Sequence, residues 1–493
     1  MPAMEEISAA APEPHFLVAT YPAQGHINPA RHLARRLLRA TGARVTVSTA
    51  VSAYRKMFPG AVADEEAGEG HQDAGGVWYV PYSDGYDAGF DSAVHDHTHY
   101  MSQIKVVGSR TLAGVLDRLR DAGRPVTRVV YTLLLSWVAD VARDHGVPAA
   151  LYWIQPATVL AAYVHFFRGT DGVDKAIAAA GGDPWATVRV PGLPPLRIRD
   201  LPSFITITSE NDPYAFVVTA FRDLVDALGR EDRPTVLANT FDAMEPGAVA
   251  SLREHGLDVV PVGPVLSFLN DATAAGAKNG TAPPSDNDLF KQDGKGYLEW
   301  LDAQEAGSVV YISFGSLSVM SKRQIEEVAR GMAESGRPFL WVLRKDNRSI
   351  EDGGDNDATA LGGERGMVVE WCDQVRVLSH PAVGCFVTHC GWNSTLESVA
   401  CGVPVVGVPQ WTDQGTNAWL VERLGTGVRV AVSDKDGVLE ADELRRCLDF
   451  ATSEMVRAKA AMWRETARAA AAEGGSSERN LRAFVAQQVA AGN

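Results

Sequence analysis

The first residue with chemistry to offer is His26, in the turn Pro22-Ala23-Gln24-Gly25-His26-Ile27-Asn28-Pro29 that follows the first β-like run. A strand-to-helix turn sets such a histidine at the carboxyl end of a strand and at the start of a helix. The positive end of the helix dipole disfavours an imidazolium there, so His26 is expected to stay neutral and able to take a proton. A purely structural role, a turn histidine capping the helix, fits the same residue. A denser constellation runs from Trp371 to Gln414, WCDQVRVLSHPAVGCFVTHCGWNSTLESVACGVPVVGVPQWTDQ. Within it the run GCFVTH leads into Cys390-Gly391-Trp392-Asn393-Ser394, which opens a helix. Free backbone N–H groups and a positive dipole at that point suit a phosphate. His389 and Ser394 can add donors to the same anion. Ser394 with Glu397 also matches the S-x-x-E capping box, a structural use of both. Trp371 opens a loop after a strand and offers a flat face to a base, or else is a half-buried core aromatic. Asp413 and Gln414 set a carboxylate beside an amide at a helix start, able to accept from and donate to neighbouring sugar hydroxyls.

Strands and helices in alternation must position these groups. His15 to Tyr21 reads as a buried strand, and Asn28 to Thr41 as a helix with Leu33, Leu37 and Leu38 facing inward. RVTVSTA from Arg44, VWYVPY from Val77, RVVYTLL from Arg128, ALYWI from Ala150 and TVLANTF from Thr235 continue the strand series. The alternation restarts with SVVYISFG from Ser308, and Ser321 with Gln324 predicts a capped helix to Ser335. FLWVLR, MVVEW, GCFVTH and PVVGVP follow. Alternation of this kind implies βαβ units and parallel sheets, here two doubly wound α/β domains whose ligands bind beyond the carboxyl ends of the strands. Asn270 to Gly296 and Asp352 to Gly363 are polar, aperiodic stretches that read as surface loops. Ala-rich helices end the chain.

Length and charge narrow the partners. At about 150 residues per domain, 493 residues make two or three domains. Forty-six basic against 61 acidic residues leave a net charge of -15, which repels phosphate backbones and anionic lipid. Nucleic-acid and membrane-surface binding are therefore set aside. The five cysteines, Cys372, Cys385, Cys390, Cys401 and Cys447, include no C-x-x-C pair and read as reduced thiols. The first fourteen residues lack the basic start and apolar core of a signal peptide. The strongest apolar run, Val129 to Ala139, falls short of the ~20 residues that span a bilayer. A soluble, cytoplasmic protein is expected, with the sequons at Asn279 and Asn347 as chance matches. A Rossmann dehydrogenase or epimerase would want G-x-G-x-x-G after the first strand, where this chain has Pro-Ala-Gln-Gly-His.

The Trp371–Gln414 stretch closely resembles the signature box of plant UDP-dependent glycosyltransferases of small molecules. The likeness extends through the Gly25-His26 turn, Phe314-Gly315-Ser316 and Asn239-Thr240-Phe241. The resemblance implies the GT-B fold: an acceptor-binding Rossmann-like domain over 14–258, a UDP-sugar-binding one over 259–475, and a terminal helix over 476–493 packing back on the first. It implies that Trp371 stacks on uracil, that Gln374 and the Val375 backbone contact the nucleoside, and that Glu397 holds the ribose. His389, Asn393, Ser394 and Ser316 would surround the diphosphate, and Trp392, Asp413 and Gln414 would hold the sugar. A terminal glutamine in the box favours UDP-glucose as donor substrate. The reaction expected is inverting, without a cofactor or metal, on a small-molecule acceptor, by a monomer. The D-x-D pairs Asp286/Asp288, Asp355/Asp357 and Asp434/Asp436 then read as solvated charge. Acceptor pockets in this family come from variable N-terminal loops, which nominates Asp84, Gly85, Trp137 and Gln155.

One position departs from the family pattern. The aspartate that usually polarises the histidine is replaced by Thr132. A threonine can hydrogen-bond an imidazole but cannot stabilise its cation as a carboxylate does. Carboxylic acids, with pKa values near ~4, need no proton removed at neutral pH, whereas phenols, near ~10, do. Together with TLLLSW and Ser83-Asp84-Gly85-Tyr86-Asp87, which resemble the subgroup of glucose-ester formers and anthocyanin 5-O-glucosyltransferases, this favours carboxylates first and phenols second. A glucosyltransferase strictly for phenolic hydroxyls, or a non-catalytic UDP-sugar-binding protein, is the alternative reading.

Overall fold

The computed structural model describes residues 13–60, 70–91, 93–209, 211–266, 269, 296–316, 318–344, 362–363 and 365–491. Outside them lie the sequons, the D-x-D pairs at 286/288 and 355/357, and most of both polar stretches.

Two sheets organise the chain. The first runs Asp258–Pro261, Thr235–Ala238, Ala149–Trp153, Arg128–Thr132, His15–Ala19, Arg44–Ser48, Trp78–Tyr79, His71–Gln72, all parallel except the last edge. Its central strand, HFLVA, is buried at every position, as a strand covered by helices on both faces must be. The second sheet is wholly parallel: Gly366–Val369, Phe339–Val342, Val309–Ser313, Val383–Thr388, Val405–Gly407, Gly427–Arg429. The first sheet runs on past residue 258, to Pro261. Sequence periodicity missed Asp258–Pro261, Gly427–Arg429 and the small antiparallel pair Thr187–Val188/Leu196–Arg197, none of which lies in a sustained apolar run.

Each sheet has a switch point where neighbouring strands lead the chain in opposite directions. In the first it lies between His15–Ala19 and Arg128–Thr132, so the turn to His26 and the terminal Thr132 emerge side by side. In the second it lies between Val309–Ser313 and Val383–Thr388, bringing Gly315-Ser316 next to His389. Crevices at such points are where open α/β sheets bind ligands.

Two local details differ from expectation. The first helix spans Gln24–Thr41, so it starts before Asn28 and contains Gly25, His26 and Pro29. Ser321 does cap Lys322–Ser335, accepting from the Gln324 N–H at 3.2 Å. The Gln324 side chain, however, bonds both main-chain groups of Leu439 instead of closing the capping box. The last helix, Ser476–Ala491, returns to the first sheet: Phe484 lies 5.9 Å from Phe16, and the Arg128 guanidinium sits over its ring.

Candidate active site

His26 occupies the first turn of its helix, and its ring packs 5.3 Å from that of Tyr21. Nδ1 lies 3.5 Å from the Thr132 hydroxyl, the outer limit of a hydrogen bond, and the same oxygen accepts the Tyr21 N–H at 3.3 Å. Burial lowers the His26 pKa to about 4, so the ring is neutral at physiological pH, as expected. The cause is desolvation, which is stronger here than the dipole argument that led to the same expectation.

Across from it, the helix Trp392–Cys401 starts at Gly391, and its first internal bond runs from Thr395 N–H to the Gly391 carbonyl. The amides of Trp392, Asn393 and Ser394 therefore sit ahead of the hydrogen-bonded turns, available to an anion. Ser394 is the third helical residue and not the cap, which removes the capping-box reading of Ser394 and Glu397. Both belong instead to a polar cluster: Gln374 Nε2 donates to Ser394 Oγ (2.8 Å) and to Glu397 Oε2 (2.7 Å), and Tyr311 OH donates to Gln374 Oε1 (3.2 Å). Tyr311 was missed from sequence because it reads simply as strand core. Val375 follows Gln374 in the first turn of Gln374–Leu378, where its N–H is likewise ahead of the helical ladder. Trp371 is half-buried beside the core below.

His389 sits in a glycine cradle. A Cβ at Gly315 (φ +79°) would fall 2.7 Å from its ring, and one at Gly391 2.6 Å from Nε2. No side chain larger than hydrogen fits at either place without displacing the imidazole. Burial lowers its pKa to about 4, opposed by a hydrogen bond to the Ser313 backbone. Ser316 follows Gly315 directly in this loop.

Asp413 and Gln414 are both buried. Asp413 accepts from Asn417 Nδ2 at 2.8 Å, and burial raises its pKa to about 6. Gln414 Oε1 accepts the main-chain N–H groups of Gln410 (2.8 Å) and Trp411 (3.2 Å), so the amide NH₂ is what it can offer a ligand. Trp392 is a correction. Its indole N–H donates to the Asn239 carbonyl at 2.8 Å, and the buried ring joins the two halves, so the indole is already engaged within the protein. Asn393 also reaches across, donating to the Gly25 carbonyl at 3.2 Å. That carbonyl is open because its helical partner, the N–H four residues on, is missing in Pro29.

The acceptor candidates divide. Asp84 is turned inward, accepting from Tyr100 OH (3.0 Å) and Tyr86 N–H (2.9 Å). Trp137 is buried against Gly108 and Tyr82. Gly85 is exposed at φ +87°, and Gln155 reaches the second half, donating to Thr412 Oγ1 at 3.4 Å. Sequence reasoning missed a run of aromatic rings leading away from His26. Tyr21 meets Tyr100 (6.2 Å), Tyr100 meets Phe90 (4.5 Å), Phe90 meets His97 (4.9 Å), and His97 stacks on Phe216 (5.1 Å). Aromatic content just after the Ser83–Asp87 loop was the available signal.

Among the described residues, no group of three or more His, Cys, Asp or Glu is placed to hold a metal, and Asp436 is paired with Arg323. All five cysteines are free thiols. No described helix is long and apolar enough to cross a membrane.

Two α/β halves meeting at a histidine and at an anion-ready helix start define a sugar-nucleotide transferase architecture. The family model described as UDP-glucoronosyl and UDP-glucosyl transferase matches residues 289–447. Crocetin glucosyltransferase, chloroplastic, of Gardenia jasminoides is 45% identical, covering 96% of both chains. Anthocyanidin 3-O-glucoside 5-O-glucosyltransferase 1 of Perilla frutescens is 41% identical over 96% of this chain and 98% of its own. Os79 from O. sativa, solved with UDP, superposes with a TM-score of 0.78 at 30% identity, covering 96% of this chain and all of that one. The chain belongs to the UDP-glucuronosyl and UDP-glucosyl transferase family, with the GT-B fold. It is an enzyme, a UDP-glucosyltransferase of small metabolites, and the likeness to anthocyanin 5-O-glucosyltransferases and glucose-ester formers drawn from its sequence holds.

Proposed function

We propose that this enzyme moves glucose from UDP-glucose, with inversion, to carboxylates first and phenolic hydroxyls second. The observation that carries the preference is the pairing of a half-buried, neutral His26 with a threonine at 3.5 Å in place of a carboxylate. With Nδ1–H directed at Thr132, Nε2 keeps the lone pair that takes an acceptor's proton. Nothing anionic at Thr132 steadies the resulting imidazolium, so proton removal from a hydroxyl is costly. A carboxylate arrives ionised: its oxygen attacks the anomeric carbon, the bond to the β-phosphate oxygen breaks, and no proton moves. The 5-O-glucosylation named for the Perilla relative keeps hydroxyl acceptors within the proposal.

In this reading Trp371, Gln374, Val375 and Glu397 take the nucleoside, His389, Ser316, Asn393 and Ser394 the diphosphate, and Asp413 with Gln414 the glucose. Helix amides and His389 meet the charge that develops on the leaving UDP, which supports a reaction without a metal. A monomer working in the cytoplasm completes the proposal, supported by the acidic composition and the five free thiols.

UDP release from UDP-glucose, measured in EDTA with matched carboxylic acids and phenols, tests it. Turnover is expected with both classes and higher with acids; higher turnover with phenols than with the matched acids would overturn the acid preference. In the same assay Thr132→Asp is expected to raise kcat/KM for a phenol up to about tenfold relative to the matched acid, the effect of one pKa unit, or about 1.4 kcal/mol, on His26. It should also move the acid limb of the phenol profile to higher pH. Equal gains for both acceptors would remove Thr132 as the determinant.

A further inference from the structure

Thr412 is held at φ +57°, a backbone region that a β-branched residue rarely enters. Such a conformation persists only where the surroundings hold it. Here the holding groups come from the other half of the molecule. Ser203 N–H donates to the Thr412 carbonyl (2.9 Å), and Thr412 N–H donates back to Ser203 Oγ (2.8 Å). Gln155 adds its bond to the Thr412 hydroxyl.

The contact continues on both sides of this clamp. Thr416 Oγ1 donates to the Asp200 carbonyl at 2.8 Å, and Arg429 pairs with the Asp200 carboxylate at 3.1 Å. Gly415 lies so close to Arg199 that a Cβ there would be 2.6 Å from its carbonyl oxygen. Trp411 packs 5.9 Å from Phe204. Residues 199–204 thus dock along residues 411–416, and the next two side chains after the strained residue are Asp413 and Gln414.

We propose that Ser203, in the acceptor-side half, is a positioning residue for the sugar: it locks Thr412 in the left-handed conformation that aims Asp413 and Gln414 at the glucose. The proposal rests on the reading that those two residues hold the sugar. Discrimination among UDP-sugars is then set jointly by both halves, and UDP, which carries no glucose for Asp413 and Gln414 to grip, is indifferent to the clamp.

The test measures KM for UDP-glucose and Kd for UDP with Ser203→Ala, Ser203→Thr and Gln414→Ala. Ser203→Ala should raise KM for UDP-glucose about tenfold, the factor equivalent to about 1.4 kcal/mol, and leave the UDP Kd unchanged. Ser203→Thr, which keeps the hydroxyl, should stay near the parent. Thr412→Gly added to Ser203→Ala should recover part of the loss, because glycine adopts positive φ without support. If Gln414→Ala raises KM while Ser203→Ala does not, the clamp is wrong and the sugar reading stands. If Gln414→Ala leaves KM unchanged, the sugar reading fails and takes the proposal with it. Equal loss of UDP and UDP-glucose affinity in Ser203→Ala would make the residue a general support and overturn the proposal.

Discussion

His26→Ala is expected to lower kcat for a phenolic acceptor by about 10²–10⁴-fold, the usual worth of a positioned general base, while UDP binds as before. The separation follows from the architecture. His26 stands on the first sheet's switch point, whereas the proposed diphosphate groups stand on the second's. The acceptor dependence is as informative as the size. A carboxylic acid has no proton to give up, so its turnover should fall far less than that of the phenol. The pH profile gives an independent check. With a folded pKa of about 4, His26 is a competent base down to that pH, and the acid limb for a phenol should lie well below the 6.5 of an ordinary histidine. Calorimetry on the variant showing an equal loss of UDP affinity would refute the division of labour.

His389→Ala should be nearly as damaging for a different reason. Its ring is wedged between Gly315 and Gly391, beside the start of the helix Trp392–Cys401, where the leaving diphosphate would gain charge. Loss of one donor aimed at developing charge costs about 10²–10³ in kcat. The same substitution should weaken UDP itself, since UDP already carries much of that charge. Binding places negative charge against an imidazole whose pKa burial has lowered to about 4, and so raises it. Binding then takes up a proton, and UDP should bind more tightly as pH falls toward that value. The part of this dependence owed to His389 should be lost in His389→Ala, leaving only that of the UDP phosphate's own ionisation at about 6. Kinetics and UDP affinity unchanged from the parent would mean that the helix amides suffice.

Much of the site was legible because it is local in sequence. Gln374, Ser394 and Glu397 fall within one stretch, and the fold closes them into one hydrogen-bonded cluster. His389 and the helix start follow a strand whose apolar run is unmistakable. What could not be read is what depends on partners distant in the chain. Trp392 looks like a sugar contact until Asn239 claims its indole. Asp84 looks available until Tyr100 covers it, and the pairing of Ser203 with Thr412 leaves no trace in either local sequence. The capping-box ambiguity at Ser394 shows the limit from the other side: a motif four residues long fits two positions on a helix, and only the actual start at Gly391 decides. The fold followed from alternation of apolar runs, which is a property of long segments. The strands that were missed lie in short stretches mixed with polar residues or glycine, as in Asp258–Pro261 and Gly427–Arg429, where no unbroken apolar run marks them.

The last helix has a consequence for how the molecule is made. Leu481, Phe484 and Val485 belong to the core built around the first strand, His15–Ala19, and Asn480 Nδ2 bonds the carbonyl of Pro261 at 2.9 Å. On the ribosome, residues 15–19 therefore wait for residues 481–485. Throughout translation of the second half, Phe16 and its neighbours lack part of their cover, and this apolar surface stays open to chaperones and to other nascent chains. A frameshift or stop between residues 430 and 476 would leave both sheets fully encoded and still deprive the first of its seal.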